Sequence, residues 1–154
     1  MYERILIPLD GSKTGEAALP YVEEMLSKLS PEAKVEVTLF QVLSGITHYI
    51  VGGEAGIDVA YSEEDMKQTT EKAMDYLNKA GEALRSKGAL VTAKVGIGSA
   101  AEEIVKAADE IKADLIAMST HGRTGLSRWA FGSVADKVLR HGGNVPILMV
   151  KATS

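Results

Sequence analysis

Met118-Ser-Thr-His-Gly-Arg-Thr-Gly-Leu-Ser-Arg-Trp-Ala-Phe-Gly-Ser133 is the stretch around which the chain is organised. It starts where the apolar run Leu115, Ile116, Ala117, Met118 gives out, and it leads into a helical pattern of Val134, Ala135, Val138 and Leu139. Between strand and helix stand Gly122, Gly125 and Gly132, the hydroxyls of Ser119, Thr120, Ser127 and Ser133, and the cations Arg123 and Arg128. Glycine has no Cβ, so its N–H can come close to a ligand. A helix N-terminus adds unpaired N–H donors and a partial positive charge. A strand that runs through such a loop into a helix is predicted to hold phosphate groups.

Outward from this stretch, strand and helix patterns alternate. Ile5-Leu6-Ile7-Pro8-Leu9 reads as a strand buried on both faces and ends in the turn chemistry of Asp10-Gly11-Ser12. A helix follows with Ala18, Val22, Met25, Leu26 and Leu29 on one stripe, and Pro20 implies a kink or a late start. Val35 to Val42 is a second strand. Residues 44–61 carry four glycines and no clear period, and are expected to be a flexible loop.

A long helix is expected from a Ser62/Asp65 capping box to Gly88, with Met66, Ala73, Leu77, Ala80 and Leu84 inward. Leu90 to Val95 alternates as an edge strand does. Ser99–Glu102 reads as a capping box for a helix with Ile104, Val105, Ala108 and Ile111 buried. Ser133–Asp136 reads as a cap for the last helix, and Ile147 to Val150 is the fifth strand. Five strand–helix alternations predict one α/β domain over residues 1–154, a parallel sheet covered on both faces. Ligands of such sheets sit beyond the strand ends where strand order reverses.

The net charge of −4 argues against nucleic acid or an anionic membrane as partner. The segment 121–140, by contrast, carries Arg123, Arg128, Lys137 and Arg140 against Asp136 alone, which suits a small anion; for Lys137 and Arg140 a solvated helix face is the plainer reading. No cysteine is present, which removes disulfides, thiolate nucleophiles and Cys-based metal sites. No apolar run approaches membrane-spanning length and no signal peptide is evident, so a cytoplasmic protein is expected.

Several signatures are missing. There is no G-x-x-x-x-G-K-[ST] phosphate loop. Gly96-Ile-Gly98-Ser-Ala-Ala101 resembles a dinucleotide fingerprint, but it lies in the third strand–helix unit with no acid after the next strand, and is better read as turn and cap glycines. A receiver domain would need acids paired with Asp10. His48, His121 and His141 have no metal-ligand spacing, and Trp129 reads as an anchor for the loop rather than a base stacker. Asp10, at a strand end, either accepts hydrogen bonds from ribose hydroxyls or holds a divalent cation beside phosphates, or else caps the next helix.

Ile5-Leu-Ile-Pro-Leu-Asp-Gly-Ser12, the block Asp114 to Leu139 and Val145-Pro-Ile-Leu-Met-Val150 resemble the universal stress protein family over essentially the whole chain. The resemblance implies a Rossmann-like five-stranded sheet of the adenine nucleotide alpha-hydrolase type, strand order 3-2-1-4-5, with the first and fourth strands as central neighbours. The ATP-binding branch of the family carries G-x2-G-x9-G-[ST]. Gly122, Gly132 and Ser133 match it, whereas Ser119 stands in the place of the first glycine.

By resemblance, Asp10 would meet the ribose and the backbone of Val42 would pair with adenine. Ser119 would lie near the sugar. Gly122, Arg123, Gly132, Ser133 and Val134 would hold the phosphates, with Pro8, Leu9 and Met118 as walls. The implied ligand is ATP, or ADP or AMP, with Mg²⁺ or Mn²⁺ carried on the phosphates. The leading expectation is a nucleotide-responsive regulatory module for stress; a slow ATP hydrolase and a nucleotide-free scaffold are the alternatives. The strand Ile147–Val150 has no later strand to cover it, and such edges tend to pair. A homodimer through it is expected, as in relatives of the family.

Overall fold

The computed structural model describes residues 2–43, 47–52, 55–60, 63–120 and 132–152. Ile5, Leu6 and Ile7 form an unbroken apolar run because β1 (Arg4–Pro8) is covered on both faces. A short 3-10 turn (Thr14–Glu16) leads into α1 (Ala18–Ser27). Pro20 falls in the first turn of α1, where the N–H it lacks would have had no helical partner. The late start is therefore what the structure shows. β2 (Glu36–Leu43) follows.

The expected loop at 44–61 is corrected. Thr47–Gly52 (β3) and Ala55–Ala60 (β4) pair antiparallel as a separate hairpin, from Thr47↔Ala60 to Gly52↔Ala55. Two residues, Gly53 and Glu54, separate the last pair, and Gly-X between β-prone segments is a hairpin signal that a search for periodicity overlooks.

The single long helix expected next is two: α2 (Glu63–Ala80) and α3 (Glu82–Ser86). They meet at Gly81, where a Cβ would lie 2.8 Å from Val91 Cγ1 and 3.1 Å from Leu39 Cδ1, so the helix rests hard against the sheet at that point. Ser62, half of the expected capping box, lies outside the described residues. β5 (Leu90–Ile97) and α4 (Ala100–Glu110) come next. Ser99 does occupy the capping position of α4 with extended backbone, but its side chain makes no cap bond. Gly96, expected as a turn glycine, instead lies within β5 under the Phe40 ring, whereas Gly98, with φ +141°, does stand between β5 and α4. β6 (Leu115–Ser119), α5 (Ser133–His141) and β7 (Ile147–Val150) complete the chain.

The five-stranded sheet has the order β5-β2-β1-β6-β7, all parallel. Counted along this sheet alone, that is 3-2-1-4-5. β1 and β6 are neighbours through Ile5↔Leu115 and Leu6↔Ile116, and strand order reverses between them. Side chains alternate between two cores. Ile5, Ile7, Leu9, Val37, Leu39, Leu115 and Ala117 pack under Ala18, Val22, Leu77 and Leu84 of α1, α2 and α3. Leu6, Phe40, Ile116 and Met118 pack under Ile104, Ala108, Ala135 and Val138 of α4 and α5. Each fully buried Leu or Ile contributes about 1.5–3 kcal/mol by leaving water. Among the described residues no helix is long and apolar enough to cross a membrane.

Candidate functional site

β1 stops earlier than its neighbours. Its last pair with β2 is Pro8↔Phe40, while β2 continues to Leu43. Leu9 N–H donates to Phe40 C=O at 2.8 Å, and the chain then turns away at Asp10. In a parallel strand the N–H and C=O of one residue point to the same side, and successive residues alternate. Phe40 C=O faces β1, whereas Leu43 C=O accepts from Gly98 N–H on the β5 side. The alternation thus aims the N–H and C=O of Val42 at the space beyond the end of β1. One donor and one acceptor side by side match the edge of an adenine ring.

The Asp10 turn is held from within. Asp10 Oδ1 accepts from Ser12 N–H at 2.9 Å and from the Ser12 hydroxyl at 2.5 Å. Ser12 Oγ in turn accepts from Gly15 N–H at 3.0 Å. These bonds form a local turn ahead of the 3-10 segment, and it is Ser12 whose side chain takes a backbone N–H of that segment, from Gly15. A Cβ on Gly15 would collide with Asp10 Oδ1, so a larger residue there would displace the carboxylate.

Across the reversal point, β6 ends at Ser119 and α5 begins at Ser133. Gly132 caps α5 with φ +82°, and a Cβ there would lie 2.8 Å from Thr120 C=O. The start of α5 is therefore packed against the carboxyl end of β6. Ser133, expected as the cap, is instead the first helical residue and is exposed; among the described residues no side chain caps the helix, and the first turn closes through Asp136 N–H to Gly132 C=O at 3.0 Å. A helix start leaves N–H groups without helical acceptors and carries about half a positive charge. Thr120 is buried, its N–H donating to Val150 C=O at 3.0 Å. On the solvent side of α5, Arg140 pairs with Asp136 at 3.1 Å, as a solvated face would.

The structure brings together Pro8, Val42, Met118, Gly132, Ser133 and Val134 around the ends of β1, β2 and β6. Val42, Met118 and Val134 share the core layer of α4 and α5. Leu9 does not join them, because its side chain packs in the opposite layer under α1. Ser119, expected near the sugar, is bonded towards α1 and the turn that follows β1. Its hydroxyl donates to Gly15 C=O at 2.9 Å and accepts from Ala18 N–H at 3.2 Å, on the α1 face. Gly122 and Arg123, with His121, Arg128 and Trp129, lie outside the described residues. Among the described residues no group of three or more His, Asp or Glu side chains suits a metal ion.

Two neighbours of the turn escaped sequence reasoning. The Tyr76 hydroxyl on α2 donates to Glu16 Oε2 at 2.9 Å, and Lys13 Nζ lies 3.8 Å from Glu16 Oε1. Burial pushes the Tyr76 hydroxyl well above its ordinary value of 10.0, and the Glu16 and Asp10 carboxylates push the same way. Nothing local marks a contact spanning sixty positions.

The profile of the Universal stress protein family matches residues 1–151. Universal stress protein MJ0577 of Methanocaldococcus jannaschii is 31% identical over 98% of this chain and 96% of its own. The solved structure of MJ0577 superposes with a TM-score of 0.76 at 28% identity, covering 100% of this chain and 99% of that one. A universal stress protein from Archaeoglobus fulgidus, solved in complex with dAMP, gives a TM-score of 0.64 at 24% identity over 97% and 98%. An Arabidopsis thaliana member with AMP bound gives 0.65 at 15% identity over 99% and 93%. The chain belongs to the universal stress protein family.

Proposed function

We propose that the chain, as one domain, binds an adenine nucleotide in the notch beyond β1 and acts as a nucleotide-responsive regulatory module. One observation carries this reading. Where β1 stops, the main chain of Val42 faces the gap on one side, and the N-terminus of α5 stands against the end of β6 on the other. The first suits a purine edge and the second suits phosphate. Family members solved with dAMP and AMP support the same ligand class.

In this reading the Asp10 carboxylate, oriented by Ser12, accepts from ribose hydroxyls. Gly122, Arg123, Gly132, Ser133 and Val134 hold the phosphates of ATP, or of ADP or AMP, and Mg²⁺ or Mn²⁺ rides on those phosphates. Each hydrogen bond to a charged group contributes about 1.5–3 kcal/mol. A micromolar complex needs about 8 kcal/mol net, which several such bonds reach after ordering costs. The setting proposed for such a module is the cytoplasm.

A homodimer through β7 belongs to the same proposal. Pro146 and Val150 turn their carbonyls to β6, accepting from Ile116 and Thr120 N–H. By alternation, the N–H groups of Ile147 and Met149 point to the outer edge, where a second copy of β7 would find them.

The test is mass spectrometry of small molecules released on denaturing the purified protein, with calorimetric titration of Mg-ATP and AMP. An adenine nucleotide released, or bound at micromolar concentration, is expected. No release and no heat at millimolar nucleotide overturns the reading. Phosphate release that Asp10→Asn abolishes while binding persists would favour a slow hydrolase over a regulatory module.

A further inference from the structure

Ser119 occupies the position at which the nucleotide-binding pattern has its first glycine, and its hydroxyl is engaged in both directions. It accepts from Ala18 N–H, 101 positions away, and donates to Gly15 C=O, 104 positions away. Ala18 is the first residue of α1, and the preceding Ala17 has no side-chain oxygen to cap it. An N–H there has no helical acceptor of its own. The bonds run on without a break: Gly15 N–H donates to Ser12 Oγ, and Ser12 donates to Asp10 Oδ1. The end of β6 is thereby tied, through one hydroxyl, to the turn that ends β1.

The geometry points to Ser119 as a positioning residue of the nucleotide site: it caps α1 from another strand and so fixes the Asp10 turn relative to the end of β6. This inference rests on the nucleotide-binding reading. Its content is that the serine acts through Gly15 and Ala18 and not by touching the sugar. The notch lies between the Asp10 turn on one side and the end of β6, with the start of α5 packed on it, on the other. A link joining those two walls sets their spacing, and a nucleotide spanning them requires that spacing. The side-chain periodicity of β6 agrees: Leu115 and Ala117 pack in the layer of α1, so position 119 presents its side chain to α1 as well. A glycine at 119 leaves Ala18 N–H without this acceptor.

The experiment compares the parent with Ser119→Ala and Ser119→Thr by amide exchange at Ala18 and by calorimetric affinity for Mg-ATP, well below the melting temperature. In Ser119→Ala, exchange at Ala18 is expected to quicken about fivefold to tenfold, and affinity to fall by a similar factor, the usual size of a lost helix cap. Exchange at Ile116, in mid-strand, quickens no more than the change in global stability requires. Ser119→Thr keeps the hydroxyl and is expected to restore both quantities. Affinity that survives Ser119→Ala unchanged overturns the positioning role, and so does affinity that falls and is not restored by threonine. A parent protein that binds no adenine nucleotide overturns the functional reading and the site role together, while quickened Ala18 exchange would still show the cap. Each failure is thus separately visible.

Discussion

The hydroxyl of Tyr76 donates to Glu16 Oε2 across 2.9 Å, joining α2 to the turn that leaves β1. The phenol stays neutral in the fold because burial and the nearby carboxylates of Glu16 and Asp10 disfavour its anion. Tyr76→Phe is therefore expected to cost about 1 kcal/mol at neutral pH, the net worth of one such hydrogen bond. The sign of the pH dependence follows from a raised ionisation. Below pH 10 the phenol is neutral in both states and the difference between parent and variant is constant. Above it the unfolded chain ionises first, which favours unfolding of the parent. Urea melts at pH 7, 9, 10.5 and 11 should show the gap closing only above 10; a gap that widens there contradicts the assignment.

Gly132 and Ser133 are adjacent but answer differently to substitution. Gly132→Val meets two penalties, the positive φ of +82° and Thr120 C=O 2.8 Å from the new Cβ. It should destabilise the unliganded protein by about 1–3 kcal/mol, so loss of binding in that variant would be ambiguous. Ser133→Glu is the cleaner probe, because Ser133 is exposed and its side chain caps nothing. Its unliganded melting temperature should stay near that of the parent, while the rise caused by Mg-ATP disappears. If nucleotide still stabilises Ser133→Glu fully, phosphate does not sit at the start of α5.

Leu77 is completely enclosed in the layer beneath α1 and α2. Leu77→Ala should cost about 2–5 kcal/mol through lost burial and the cavity left behind. Leu139, on the outer side of α5, is 48% exposed, and Leu139→Ala should change stability by about 0.5 kcal/mol or less. Denaturant midpoints at constant slope test the contrast, and equal losses would refute the layer assignment.

The N–H of Met149 faces away from β6 by the alternation of β7, so Met149→Pro removes a donor only from the outer edge. Light scattering should show the parent as a dimer and this variant as a monomer, with the β6–β7 ladder still intact by circular dichroism. A dimer that survives the substitution must be built on another surface.

The sheet was readable because strands covered on both faces have to be apolar without a break, as Ile5 to Ile7 and Leu115 to Met118 are. The edge strand β5 announced itself by alternation, and Pro20 marked the late start of α1. The hairpin of β3 and β4 was not readable by period, since its pairing is a main-chain affair in a glycine-rich segment. Helix starts misled for a related reason. Ser99 and Ser133 have the spacing of capping boxes, yet neither side chain makes the bond. The cap that α1 does have comes from Ser119, over a hundred positions away, where no local rule looks. Asp10 was recognisable as a strand-end acid, but its bonds to Ser12 and the crowding by Gly15 arise from how the turn folds back and leave no mark in the sequence.

Because β1 is cut short, the rim of the notch on the β2 side is peptide group rather than side chain. Peptide groups are identical whatever residue carries them. Exchanging Val42 for leucine or threonine would reshape a wall while leaving the same N–H and C=O aimed at the same place. Proline alone among the twenty would delete the donor. Recognition of the proposed kind would tolerate wide drift in its own sequence, and would be vulnerable at position 42 to a single kind of mutation.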